Sequence, residues 1–116
     1  MSEGGDASDP VVPLASGAAL PLASALARVP TADGTPFELL FRRGTLDVEM
    51  YAPQGRDLQT PHTRDEVYVV ARGTARFMVE GAETSVAAGD LLFVPAHAEH
   101  RFVEFSPDFA TWVIFF

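Results

Sequence analysis

At 116 residues, with 47% apolar residues and nine phenylalanines, the chain is long enough for one hydrophobic core and too apolar for a disordered segment. It contains no cysteine, which excludes disulfides and thiolate ligands. A net charge of −8 with a pI near 4.6 argues against nucleic acid or an anionic membrane surface as a partner.

In chain order, residues 1–18 read as a flexible tail, opening on the Gly-, Ser- and acid-rich "MSEGGDASDP". The following "VVPLASGAALPLASALA" ends on small residues like a secretory leader, but Glu3, Asp6 and Asp9 precede it with no cation, the reverse of a signal's start. Pro13 and Pro21 interrupt it, and the apolar run falls short of the roughly 20 residues that span a membrane. The expected address is cytoplasmic. Leu22, Leu26 and Val29 fall at i, i+4 and i+7 between Pro21 and Pro30, which predicts a short helix opening a single domain over residues 19–116. All eight cations are arginine, a usage that fits a GC-rich bacterial genome.

From Phe37 the pattern changes to short β-type runs punctuated by Gly, Pro and Asp. "FELLFR", "LDVEMYA", "EVYVVA", "TARFMVE", "TSVAA", "LLFVP", "RFVEF" and "FATWVIFF" follow one another, with Gly73 supplying one turn and "AAGD" another. Eight runs with no helix between them predict an all-β sandwich or barrel. Asp47 and Glu49, alternating with Leu46, Val48 and Met50, read as a solvated strand face. The final "WVIFF" is apolar on both faces and should be covered twice, the second time by the N-terminal helix or by a partner subunit.

The three histidines fall in two segments, "TPHTRDE" and "PAHAEH". Imidazole with carboxylate is a common ligand set for a divalent transition metal, while a hydrogen-bonded histidine at a sheet edge is the alternative reading. His62 and Glu66 lie four apart, and Pro61 with the β-branched run after Glu66 argues against a helix. On one straight strand they would stand about 13 Å apart, too far to share an ion. A shared metal therefore requires the chain to bend at Thr63, Arg64 and Asp65.

His62-x3-Glu66-x6-Gly73 resembles the first motif of the cupin superfamily, G-x5-H-x-H-x3-E-x6-G, and "GDLLFVPAHAEH" resembles the second, G-x5-P-x-G-x2-H-x3-N. Gly89, Pro95 and His100 occupy their places in the second motif. Thr60 stands where the first motif has a histidine, Gly55 is one residue too near, His97 replaces a glycine, and Glu104 replaces the asparagine. "DLQTPHTRDEVYVV" is similar to a group of small bacterial cupins with a Q-x-P-H-x-x-D-E-x-Y form of the motif. The resemblance covers residues 37–116 and implies a double-stranded β-helix, the cupin jelly-roll barrel. It also implies His62, Glu66 and His100 as ligands of one divalent transition metal (Fe, Mn, Ni, Zn or Cu) and supplies no fourth ligand.

Around these, Gln59 reads either as a weak oxygen ligand replacing the missing histidine or as a loop hydrogen-bonder. Thr60 shares the side of His62 if the segment is extended. Asp65 reads as an orienting partner of His62 or a turn residue, Tyr68 as a pocket or core residue on the face of Glu66, and His97 as a rim group. Three functions follow: an enzyme of oxygenase or isomerase type on a small organic molecule, a non-catalytic small-ligand binder or sensor, and a homodimeric barrel with a vestigial site.

Overall fold

The computed structural model describes residues 19–116; the proposed tail, residues 1–18, lies outside them. A five-residue helix α1 (Leu22–Leu26) precedes eight strands: β1 (Phe37–Arg43), β2 (Leu46–Tyr51), β3 (Glu66–Arg72), β4 (Thr74–Val79), β5 (Ala82–Ala87), β6 (Leu91–Val94), β7 (His100–Phe105) and β8 (Ala110–Phe115). Each predicted run forms a strand, with ends shifted by at most two residues. All pairings are antiparallel, in one sheet ordered β1-β2-β8-β3-β6 and another ordered β5-β4-β7.

Tyr68, Val70, Val113 and Phe115 of the larger sheet meet Ala75, Phe77, Val86 and Phe102 of the smaller across one buried core. Strand register fixes which side chains share that interior. Asp47 pairs with Phe115, Phe115 with Glu66, and Glu66 with Val94, giving one inward row. Glu49, Val113, Tyr68 and Leu92 form the next. Because side chains alternate, the intervening residues face outward.

The outer face of the larger sheet carries α1. Ala25 is fully buried there against Leu40, Met50 and Ala110, with Leu22, Leu26, Val29 and Trp112 packed around them. The helix is therefore the second cover of β8 at Trp112, while Val113 and Phe115 face the barrel. Pro21 caps α1 without a side-chain bond, and its carbonyl accepts from the Ala25 N–H. No described helix is long and apolar enough to cross a membrane.

One expectation fails here. Asp47 and Glu49 are 2% and 0% exposed and face the interior, not solvent. Both faces of β2 are covered, one by α1 and one by the opposite sheet, so alternation sorts its side chains without leaving a wet side. Asp47 is accommodated by two guanidinium groups, Arg42 Nε and Arg64 Nη2, each 2.6 Å from it.

Turn chemistry sets the strand ends. Gly73 has φ +78°, and a Cβ there would meet Phe109 Cα at 2.8 Å, so both conformation and space demand glycine. In the "AAGD" turn, Asp90 Oδ2 accepts from the Ala87 N–H, closing the connection from β5 to β6.

Candidate metal centre

The segment between β2 and β3 has no regular structure and carries Pro61, which has no N–H to give to a ladder. It ends in a bend at Thr63 and Arg64, as sharing an ion requires. The bend is pinned to the connection between β6 and β7. The His97 N–H donates to the His62 carbonyl at 2.6 Å, and the Ala96 N–H donates to Asp65 Oδ1 at 2.8 Å. His62 thus turns inward just before Glu66 opens β3, and His100 opens β7 in the opposite sheet.

The three side chains meet inside the barrel, with ligand atoms all within 4.8 Å of one another. His62 Nε2 lies 3.9 Å from Glu66 Oε1, and His100 Nε2 lies 2.9 Å from the same oxygen. Atoms bound to one ion at about 2.0–2.2 Å stand up to about 4 Å apart, so small side-chain movements suffice to share it. All three residues are buried, at 4%, 0% and 2% exposure. The His62 ring rests edge-on against Phe115, with centroids 5.2 Å apart.

His100 is held in the tautomer that metal binding needs. Its Nδ1 lies 2.9 Å from the Ala98 carbonyl, which can only accept, so Nδ1 carries the proton and Nε2 presents a lone pair. That lone pair faces a carboxylate oxygen at 2.9 Å, and among the described residues no hydrogen bond reaches His100 Nε2 or either Glu66 oxygen. Two acceptors at such a distance need a cation between them, either a proton or a metal. Burial opposes charging His100, but Glu66 and the Ala98 carbonyl outweigh it, so the imidazole's pKa is raised.

A second buried group adjoins the cluster. Asp57 is 4% exposed and receives the Gln59 and Phe102 backbone N–H groups, the Tyr51 hydroxyl at 2.6 Å and Gln59 Nε2 at 2.6 Å. Gln59 Oε1 in turn accepts the Tyr68 hydroxyl at 2.9 Å. Burial first, then the Glu66 and Asp57 carboxylates, push the Tyr68 hydroxyl well above the ordinary phenol range, so it stays protonated. Burial and Asp57 do the same to Tyr51.

The remaining candidates divide. Gln59 and Tyr68 line the interior, and both ends of the Gln59 amide are engaged, by Asp57 and by Tyr68. Thr60 is exposed while His62 is buried: burial alternates through Asp57 and Gln59 and the alternation breaks at Pro61, so residues 60 and 62 do not share a side. Asp65 Oδ1 accepts from the Ala96 N–H, which ties the loop to the connection between β6 and β7. His97 is exposed with φ +70°, the left-handed conformation that explains a glycine at its place in the motif. Asp57 and Tyr51 escaped sequence reading, although the spacing of Asp57 and Gln59 in an extended segment was the available signal. An open cleft of about 510 Å³, lined by Thr74, Arg76, Ser85, Asp90, Glu104 and Ser106, lies by the β3–β4 turn, away from this cluster.

An antiparallel jelly roll of two facing sheets with two imidazoles and a carboxylate converging between them defines a small barrel protein with a metal-type ligand cluster. The profile of the cupin domain family matches residues 47–116, and the chain belongs to that family. It is 38% identical over 85 residues to an uncharacterized protein of Streptomyces coelicolor, covering 72% of this chain and 80% of that one. KdgF from Halomonas sp. superposes with a TM-score of 0.60 at 21% identity, over 68% of this chain and 74% of that one. A Ralstonia eutropha protein provisionally assigned as a mannose-6-phosphate isomerase gives 0.53 at 29% identity, over 67% and 78%.

Proposed function

We propose that this protein binds one divalent transition metal through His62, Glu66 and His100 and holds a small organic molecule at the coordination positions left open. The observation that carries this is the facing pair of acceptors, His100 Nε2 and Glu66 Oε1, 2.9 Å apart with the His100 proton committed to Ala98. When bound, such a metal supplies Lewis acidity toward an oxygen of the small molecule. Two neutral imidazoles and one carboxylate leave a divalent ion with one net positive charge, which favours an anionic or oxygen-bearing ligand. Fe, Mn, Ni, Zn and Cu all suit this donor set.

The favoured activity is isomerase-type chemistry on a small polar molecule, supported by the Ralstonia eutropha neighbour's provisional assignment. A non-catalytic ligand-binding role is supported by the Asp57 network: the polar groups beside the cluster are tied to one another. The test is elemental analysis of protein purified without a histidine tag, alongside His62→Ala and His100→Ala. Near-stoichiometric divalent metal lost in both variants supports the reading; equal metal in parent and variants overturns the ligand set.

We also infer a homodimer. On the outer face of the larger sheet, register aligns Phe41, Val48, Ile114, Val67 and Phe93 in one apolar row. Phe93 is 53% and its strand neighbour Leu91 is 66% exposed, and a second copy of this face is the occupant proposed.

A further inference from the structure

The polarity of the hydrogen bonds beside the cluster is fixed by one residue. Both Asp57 oxygens accept from backbone N–H groups, Oδ1 from Gln59 and Oδ2 from Phe102. The Gln59 side chain lies 2.6 Å from Asp57 Oδ2, so it must offer its NH₂ there and turn its carbonyl away. That carbonyl only accepts, so the Tyr68 hydroxyl donates to it at 2.9 Å and its single proton is spent. What Tyr68 offers the rest of the pocket is a lone pair. Its ring adjoins His100, with centroids 6.2 Å apart, and it lies two residues along the inward face from Glu66. With Glu66 and His100 Nε2 taken up by the metal, the acceptor left beside the cluster is the Tyr68 oxygen.

We propose that Asp57, acting through Gln59, makes Tyr68 an obligate hydrogen-bond acceptor, so that the site selects ligands bearing a proton on their bound oxygen. Water, an alcohol or the hydroxyl of a hydroxy acid satisfies Tyr68; a ligand with acceptors only sets lone pair against lone pair. Asp57 and Gln59 are positioning residues, and Tyr68 is a specificity residue. This rests on the metal reading above, and it names the chemistry that the open positions take.

The test uses the full chain loaded with Co²⁺, whose visible spectrum reports both loading and ligand exchange, and azide as an acceptor-only probe. Gln59→Met removes the carbonyl and frees the Tyr68 proton to donate into the pocket; Tyr68→Phe removes both donor and acceptor. Azide is expected to bind weakest to the parent, more tightly to Tyr68→Phe, and most tightly to Gln59→Met, by about tenfold over the parent for a hydrogen bond to an anion. A parent that binds azide as tightly as Gln59→Met, or a Gln59→Met no tighter than Tyr68→Phe, overturns the assignment. A metal-free arm separates the two readings. In chelator-treated parent, the Tyr68 hydroxyl proton should give a slowly exchanging NMR resonance with contacts to the Gln59 side chain, absent in Tyr68→Phe. That resonance without cobalt loading upholds the polarity of Tyr68 and overturns the metal reading. Cobalt loading with contacts from the hydroxyl to Glu66 in place of Gln59 does the reverse.

Discussion

Replacing Glu66 by glutamine keeps its size and shape while exchanging an acceptor for a donor at the most consequential atom of the site. Glu66 is fully buried, and its Oε1 faces His100 Nε2 at 2.9 Å and His62 Nε2 at 3.9 Å. Above the raised folded-state value of His100, its imidazole is neutral and Glu66 Oε1 in the metal-free parent faces a lone pair. In Glu66→Gln the new amide N–H can donate to His100 Nε2, turning a repulsive contact into a hydrogen bond. Relief of a buried, poorly paired charge and the gain of that bond should stabilise the metal-free protein by about 1–2 kcal/mol. The same change removes the only anionic ligand. A fully protein-bound zinc site contributes about 10–16 kcal/mol, so losing one of three ligands should cost several kcal/mol, or at least about a hundredfold in affinity. Urea unfolding in the presence of a chelator measures the first effect, and competition with a chromophoric chelator measures the second. The signature is the opposition of sign. A Glu66→Gln protein that is less stable without metal once His100 has lost its proton would show that the carboxylate serves the fold, and unchanged metal affinity would refute its role as ligand.

Acid should separate the loaded and empty proteins. Since the folded-state pKa of His100 is raised, its proton stabilises the metal-free fold fully below the unfolded value of about 6.5, a contribution lost as pH rises through the folded value. Metal affinity should run the other way, declining as pH falls and beginning to do so above pH 6.5; thermal melts and chelator competition across pH 5–9 check both slopes. Thr60→His, which would restore the histidine of the family motif, should leave affinity within about twofold, because residue 60 is exposed; a tenfold gain by chelator competition would show that the loop carries it inward. Light scattering should report a dimer, with Phe93→Glu shifting it to monomer and leaving metal content unchanged; a monomeric parent at high concentration would refute the proposed face.

The strands were legible because each apolar run is short and bounded by Gly, Pro or Asp, and the local signal suffices there. The cluster was legible only through motif resemblance, since the convergence of His62 with His100 depends on two loops docking through His97 and Ala96. Asp47 and Glu49 were misread for a related reason: alternation assigns two faces but not which is wet, and here α1 and the opposite sheet cover both. Thr60 was misplaced because period two was carried across Pro61, where the alternation of burial breaks. Asp57 had only Gln59, two residues on, to mark it; the other two of its four donors come from β2 and β7.

Anomalous scattering from a crystal of the untagged protein, collected at the absorption edge of whatever metal elemental analysis detects, tests the central claim most directly. One peak per chain is expected, within about 2.0–2.3 Å of His62 Nε2, a Glu66 oxygen and His100 Nε2. A metal-loaded crystal with its peak elsewhere, and with His100 Nε2 bridged to Glu66 by a proton alone, would contradict the assignment.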